Sequence, residues 1–216
     1  MAAGNTLHSR WIPDEPLPLP EYPRPQLTRP VWINLNGWWQ YAIQGQNEPA
    51  PREWQGSIRV PYPLESELSG VQKPLLPGQK LWYVRSFKDP RQDLFDPRAD
   101  QGDQRVLLHF GAVDHESEIW VNGNHIGRHI GGYLPFSLDI TDALTCGQNE
   151  ILVSVLDPGE KGLQPRGKQV LKPQGIWYTS VSGIWQTVWL EGVPACHISR
   201  LKLTPDLERS VLIVEA

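Results

Sequence analysis

Short runs of alternating residues, cut by turn chemistry, constrain this chain more than any other feature. "NEILVSVLD" (149–157) sets Ile151, Val153 and Val155 against Leu152, Ser154 and Leu156. "LWYVRSF" (81–87) puts Leu81, Tyr83, Arg85 and Phe87 on one side, and "RVLLHFG" (105–111) gathers Val106, Leu108 and Phe110. A period of two residues is that of a half-buried strand. "SEIWVNGNHIG" (117–127) reads as a hairpin turning at Asn122-Gly123, because both central positions of such a turn need positive φ. Further strands are expected at 38–43, 183–191, 198–204 and 211–215. Helical periodicity is confined to "DITDALTCG" (139–147), a short turn with Thr141 or Asp142 as cap and Gly147 as stop. With 21 Pro and 19 Gly in 216 residues, many short strands between turns predict an antiparallel all-β sandwich.

Two segments stand apart from that pattern. Residues 11–30 carry seven prolines, so the stretch is extended rather than helical. It reads as a lead-in (residues 1–29) that drapes over the domain, or else as a disordered tail. The ribbon "GIWYTSVSGIWQTVWL" (175–190) holds three of the 10 tryptophans. Read as one strand, Trp185, Thr187 and Trp189 share a face opposite Ile184, Gln186, Val188 and Leu190. Trp185 and Trp189 then lie about 13 Å apart, too far for one sugar ring to touch both. They suit two separate plugs, in a core or at a domain seam. Trp177, in a loop-like stretch, is the better candidate for a surface role.

A net charge of -4 without a basic stripe argues against nucleic acid as a partner. No apolar run approaches the roughly 20 residues of a membrane span. The N-terminus shows no basic start followed by an apolar stretch, so no secretion signal is visible and a cytoplasmic location is expected. Cys146 and Cys196 are the only cysteines; both are expected as free thiols.

"LNGWWQYAI", "VPYPLESELSG", "VLLHFGAVDHESEIWVNGNHIGRHIGGYLPFSLDIT", "PRGKQ" and "SGIWQTVWLE" occur here in one order. Together they resemble the N-terminal sugar-binding domain of glycoside hydrolase family 2, the β-galactosidase, β-glucuronidase and β-mannosidase group. The resemblance implies a jelly-roll, galactose-binding-domain-like β-sandwich over residues 30–193. It implies, for residues 194–216, the first strands of a truncated immunoglobulin-like β-sandwich. The family's catalytic glutamates belong to a (β/α)₈ barrel, and nothing in this sequence resembles that barrel. Retaining glycosidases need two carboxylates about 5–5.5 Å apart across the scissile bond. The expectation is a non-catalytic accessory domain, with no catalytic residue, cofactor or metal of its own. Its expected partners are a β-glycoside carbohydrate, the barrel and immunoglobulin-like domain of a parent enzyme that hydrolyses O-glycosyl bonds, and a possible second copy. The alternative is a free-standing carbohydrate-binding module. The fragment at the C-terminal end is expected to leave an uncovered apolar face that invites association.

Several constellations carry side chains capable of chemistry. The family's acid/base glutamate follows an asparagine, but Asn149-Glu150 reads as a turn entering a strand. His125 and His129 have helical metal-site spacing, yet Gly123, Gly127, Gly131 and Gly132 forbid the helix. Asp114, Glu116 and Glu118 offer oxygen atoms, but the two glutamates share a face that reads as solvent surface. The resemblance gives Asp114 a part in shaping a loop. Arg85 is read as solvent-exposed, or as the buried partner of Glu65.

The remaining candidate is "LDPGEKGLQPRGKQVLKPQGIWYT" (156–179). Long irregular loops in compact domains are usually functional or disordered. Sugars offer an apolar ring face and a rim of hydroxyls, so aromatic side chains beside amides and charged donors suit them. Arg166, Lys168, Gln169 and Trp177 are therefore candidates for the substrate rim or for carbohydrate contact; otherwise the loop is basic and solvated. In the best-studied β-galactosidases an acidic residue precedes the Ser-Gly-Ile strand and touches substrate. "QGIWYTSV" holds no carboxylate, which implies a different rim here.

Overall fold

The computed structural model describes residues 7–10, 16–95 and 103–216. The expected lead-in therefore extends partly outside the described residues, at 1–6 and 11–15. Chain order gives β1 (Trp32–Asn34), β2 (Gly37–Gly45), β3 (Gly56–Val60) and β4 (Gln79–Lys88). Next come β5 (Gln104–Phe110), β6 (Val113–Asp114), β7 (Glu116–Val121), β8 (Asn124–Ile130) and β9 (Phe136–Asp139). They are followed by β10 (Gln148–Leu156), β11 (Gln169–Val170), β12 (Tyr178–Thr179), β13 (Gly183–Ile184) and β14 (Val188–Pro194). A hairpin of β15 (Lys202–Asp206) and β16 (Val211–Glu215) closes the series.

Two antiparallel sheets face each other. One runs β3-β2-β4-β10-β7-β8 and the other β1-β14-β5-β9. The larger sheet turns Trp39, Ile58, Tyr83, Ile119 and Val153 inward; the smaller contributes Val106, Leu108, Phe110, Val188 and Leu190. All but Trp39 of these ten are fully enclosed, and Trp39 nearly so. At about 25 cal/mol per Å² of apolar surface removed from water, this shared core is the main term holding the sheets together. The β7–β8 hairpin turns at Asn122 (φ 51°) and Gly123 (φ 79°), as the Asn-Gly pair requires.

The indole ribbon is not one strand. It breaks at Trp185–Thr187: Gly183–Ile184 pairs with β6, whereas β14 pairs with β5 and β1. The partner strand breaks at the same height, at Gly111–Ala112. There the Gly111 amide donates to the Thr187 carbonyl, and the Trp185 amide to that of Ala112. A Cβ on Gly111 would lie 2.7 Å from the Gln186 Cβ, so only glycine lets the strands pass this closely. The break separates the fates of the two indoles. Trp189 lies flat against the outer face of the smaller sheet, stacked on His109 at 4.7 Å. Trp185 is half-buried at the edge of a loop cluster and donates its Nε1–H to the Gly132 carbonyl at 2.7 Å.

What covers Trp189 is the proline-rich lead-in, and a single carboxylate holds it there. Glu191, fully buried on β14, takes Nη2 of Arg24 at 2.8 and 2.6 Å on its two oxygens. The Tyr22 hydroxyl stands 2.5 Å away, the Trp189 Nε1–H donates at 2.7 Å, and Arg29 Nε lies 3.5 Å away. Burial alone would push this carboxyl up. The His109 ring 3.4 Å away, with the hydrogen bonds from Tyr22 and Trp189, outweighs it and holds the group at about 2. Asn36 adds a second stitch, donating to the Pro18 carbonyl and the Thr187 hydroxyl while accepting from the Val188 amide.

Arg85 does not pair with Glu65. Its Nη1 donates to the Leu35 and Asn36 carbonyls at 2.7 and 2.8 Å. The sharp turn between β1 and β2 leaves those carbonyls without strand partners, and a guanidinium with several donors can hold both. Glu116, in turn, pairs with Arg128 across the β7–β8 hairpin, on the half-exposed face.

Candidate functional site

The loop from Asp157 to Ser182 folds back on itself rather than lying loose. β11 and β12 pair in parallel, Gln169 opposite Tyr178 and Val170 opposite Thr179. Gly167 (φ 61°) and Gly175 (φ 59°) make the turns, in a region that glycine enters without steric cost. A Cβ at Gly167 would also press on the Tyr178 hydroxyl, 2.9 Å away.

Gln169 fixes this fold. Its side chain is buried, accepting from the Val181 amide at 2.7 Å and donating to the Tyr133 hydroxyl at 3.4 Å. Both ends of the amide are occupied within the protein. Trp177, on the return, is 41% exposed, and Tyr178 and Ile176 stand out beside it. Lys168 is exposed; its amide donates to the Tyr178 hydroxyl. Arg166 is half-buried, and its Nη1 is enclosed without a hydrogen-bond partner. The four residues singled out from sequence thus share one loop, in two roles. Gln169 holds it together, whereas Lys168 and Trp177 face outward. Tyr133 and Leu134, also exposed, meet this loop through the Tyr133–Gln169 contact.

Beneath the loop runs a network of buried carboxylates. Asp157 accepts from the Ser182 hydroxyl at 3.0 Å and from the Gly159 amide at 2.7 Å. The Ser182 amide donates to Glu65 at 2.9 Å, and the Leu75 amide reaches the other Glu65 oxygen at 3.4 Å. Asp114 lies under Gly132, where a Cβ would come within 2.5 Å of its Oδ1. Burial pushes Glu65 up to about 7, against the pull of its backbone hydrogen bonds. Burial, with the charge of Asp157, pushes Asp114 up to about 7 as well. Removing a carboxylate from water disfavours its charged form unless a cation compensates, and no salt bridge to either group occurs among the described residues. No cluster of three or more His, Cys, Asp or Glu side chains with metal-binding geometry occurs among the described residues. Asp114 and Glu116, neighbours in sequence, face different surroundings.

The sequence reading missed this network because its members lie far apart in the chain. Glu65 and Ser182 are 117 residues apart. The one available signal was the pair of short polar residues in "VSGI" and "LDPG", flanked by apolar strand residues.

Residues 33–194 match the model of "Glycosyl hydrolases family 2, sugar binding domain". The chain belongs to that family. It is 38% identical over 97 residues to a putative β-glucuronidase of Formosa agariphila, covering 45% of this chain and 11% of that protein. It is 27% identical over 141 residues to a β-glucuronidase of Paenibacillus borealis, covering 62% of this chain and 22% of that protein. Among solved structures, the β-glucuronidase of Bifidobacterium dentium, complexed with coumarin-3-O-glucuronide, superposes with a TM-score of 0.59 at 22% identity. That match covers 83% of this chain and 33% of the other. The family 2 domain thus corresponds to a minor part of each relative's length.

Proposed function

We propose that this domain is a non-catalytic module of a family 2 glycosidase that hydrolyses O-glycosyl bonds of the β-glucuronide or β-galactoside type. In this reading the 166–178 loop lies against the sugar-cleaving part of the parent enzyme, at the rim of its substrate site. The observation that carries the reading is the loop itself. A buried amide clamp, Gln169, holds together the loop that carries exposed Trp177, exposed Lys168 and half-buried Arg166. Holding a large apolar ring out in water costs free energy, and contiguous exposed apolar residues mark contact surfaces. An indole face with nearby cationic donors suits a glycoside, above all an acidic one.

The relatives support the parent activity through their names, and the share of their length matched here supports a modular role. The test is a Trp177→Ala substitution in an enzyme carrying this domain. With a nitrophenyl β-glucuronide, KM should rise roughly tenfold while kcat changes little, the mark of lost uniform binding. An unchanged KM would exclude the rim role.

A further inference from the structure

A second indole is presented to solvent with no structural use, at the opposite end of the larger sheet. Trp38, on the outer face of β2, is 58% exposed. Its ring rests on Gly70, where a Cβ would lie 3.6 Å from ring carbons Cη2 and Cζ3. Gly70 adopts φ 81° as the cap of the Glu67–Ser69 turn, so glycine there both allows the turn and leaves the ring its flat support.

The register sets what lies beside it. Gln40 is opposite Ser57 on β3 and Val84 on β4, and Ser86 on β4 is opposite Glu150 on β10. Trp38, Gln40, Ser57, Ser86 and Glu150 all lie exposed around one groove of about 380 Å³, which half-buried Arg85 also lines. Strands stand about 4.8 Å apart, so β2 and β10 frame a space close to 10 Å wide. None of the four polar side chains makes a hydrogen bond or ion pair within the described protein. Glu150 is tied only through its backbone, to Asn122. The fold positions these donors and acceptors and leaves them unengaged. Along β10, Glu150 lies seven residues, roughly 23 Å, before Asp157, where the 157–182 loop begins.

We propose that this groove binds a neutral saccharide, with Trp38 as the stacking platform and Gln40, Ser57, Ser86 and Glu150 as partners for its hydroxyls. A fixed indole offers the apolar face a sugar ring needs; an amide, two hydroxyls and a carboxylate match its rim. Glu150 and Arg85 both line the groove, so its one anionic and one cationic side chain balance and a neutral ring suits it, in contrast to the cationic loop. A protein partner would call for more apolar surface than a single indole among polar groups. The inference does not rest on the role proposed for the 166–178 loop.

Titration of the chain with cellotetraose, followed through the backbone amide resonances of Gln40, Ser86 and Glu150, which line the groove, tests it. A saturable shift at millimolar or tighter concentration is expected, weakened tenfold or more by Trp38→Ala and unchanged by Trp177→Ala. Gln40→Ala should weaken binding more modestly, and Glu150→Gln, which leaves Arg85 as the groove's one charged side chain, should let a glucuronide-terminated analogue bind more tightly than the native chain does. Because these positions are exposed, the variants should keep the native thermal midpoint. No saturable shift, or a shift indifferent to Trp38→Ala, would overturn the proposal. So would groove amide resonances that move with protein concentration in the absence of sugar, which would mark the groove as a contact between copies.

Discussion

The two faces of this sandwich bury carboxylates in opposite ways. On the outer side of the smaller sheet, Glu191 is surrounded by donors: Arg24, Tyr22, Trp189 and, at longer range, Arg29 and His109. It stays charged down to about pH 2. Under the 166–178 loop, Glu65 and Asp114 are buried as deeply but meet no cation, and both are pushed to about 7. The Glu191 surroundings fasten one segment of chain to another. The other pair stores unfavourable desolvation near an exposed loop, and groups whose ionisation is costly gather where proteins do chemistry or bind partners. The difference lies in which partners the fold brings: the same side-chain chemistry is an anchor in one place and a latent charge in the other.

The largest expected effect comes from breaking the anchor. Glu191→Ala leaves Arg24 facing a buried cavity and should cost about 3 kcal/mol, read as a lower denaturation midpoint. It should also expose Trp189, visible as a red shift in indole fluorescence. Cutting the loop clamp should cost less. Gln169→Ala removes bonds to the Val181 amide and the Tyr133 hydroxyl, for about 1–2 kcal/mol, and hydrogen exchange at Val181 should speed up while the core stays protected.

Opposite pH dependences should separate the two carboxylate sites. Glu191 has a folded value of about 2, below the usual 4.5. Its contribution is present above pH 4.5 and is lost as pH falls from there toward 2. Asp114 and Glu65 have folded values of about 7, above their ordinary 3.8 and 4.5. Their effect is most favourable below pH 4 and is lost as pH rises through 7. Asp114→Asn should therefore stabilise the protein at pH 8, by on the order of 2 kcal/mol, and do little at pH 4; equal effects at both would refute the burial argument. The smallest effect should be the coupling between Arg85 and Glu65. Because Arg85 serves the Leu35 and Asn36 carbonyls, a double-mutant cycle of Arg85→Ala with Glu65→Gln should give roughly 0.3 kcal/mol or less.

Much of the sandwich was legible in the sequence, because strand alternation and turn chemistry are local. Asn122-Gly123 announced its hairpin, and β4, β5 and β10 fell within a residue or two of the alternating runs. The ribbon at 183–191 misled, since a close approach at Gly111 breaks a strand that periodicity alone would continue. The hairpin at 202–206 and 211–215 leaves Leu203, Leu212 and Val214 exposed. The candidate loop was visible as a long, glycine-punctuated stretch. That Gln169 would clamp it rather than face solvent was not, because its partners sit on other segments. Neither solvent exposure nor a Glu65 pair describes Arg85, for the same reason: the turn carbonyls of Leu35 and Asn36 that it serves leave no mark in the sequence.

The Glu191 anchor also has a temporal consequence. Arg24 and Glu191 are separated by 167 positions, and β1 reaches its partner strand only at residues 189–191. During synthesis at about 5–20 residues per second, the front of the chain therefore waits roughly 10–30 s before its counterpart leaves the ribosome. Throughout that interval the outermost layer is open, so nascent-chain helpers that shield extended segments would have their best opportunity there.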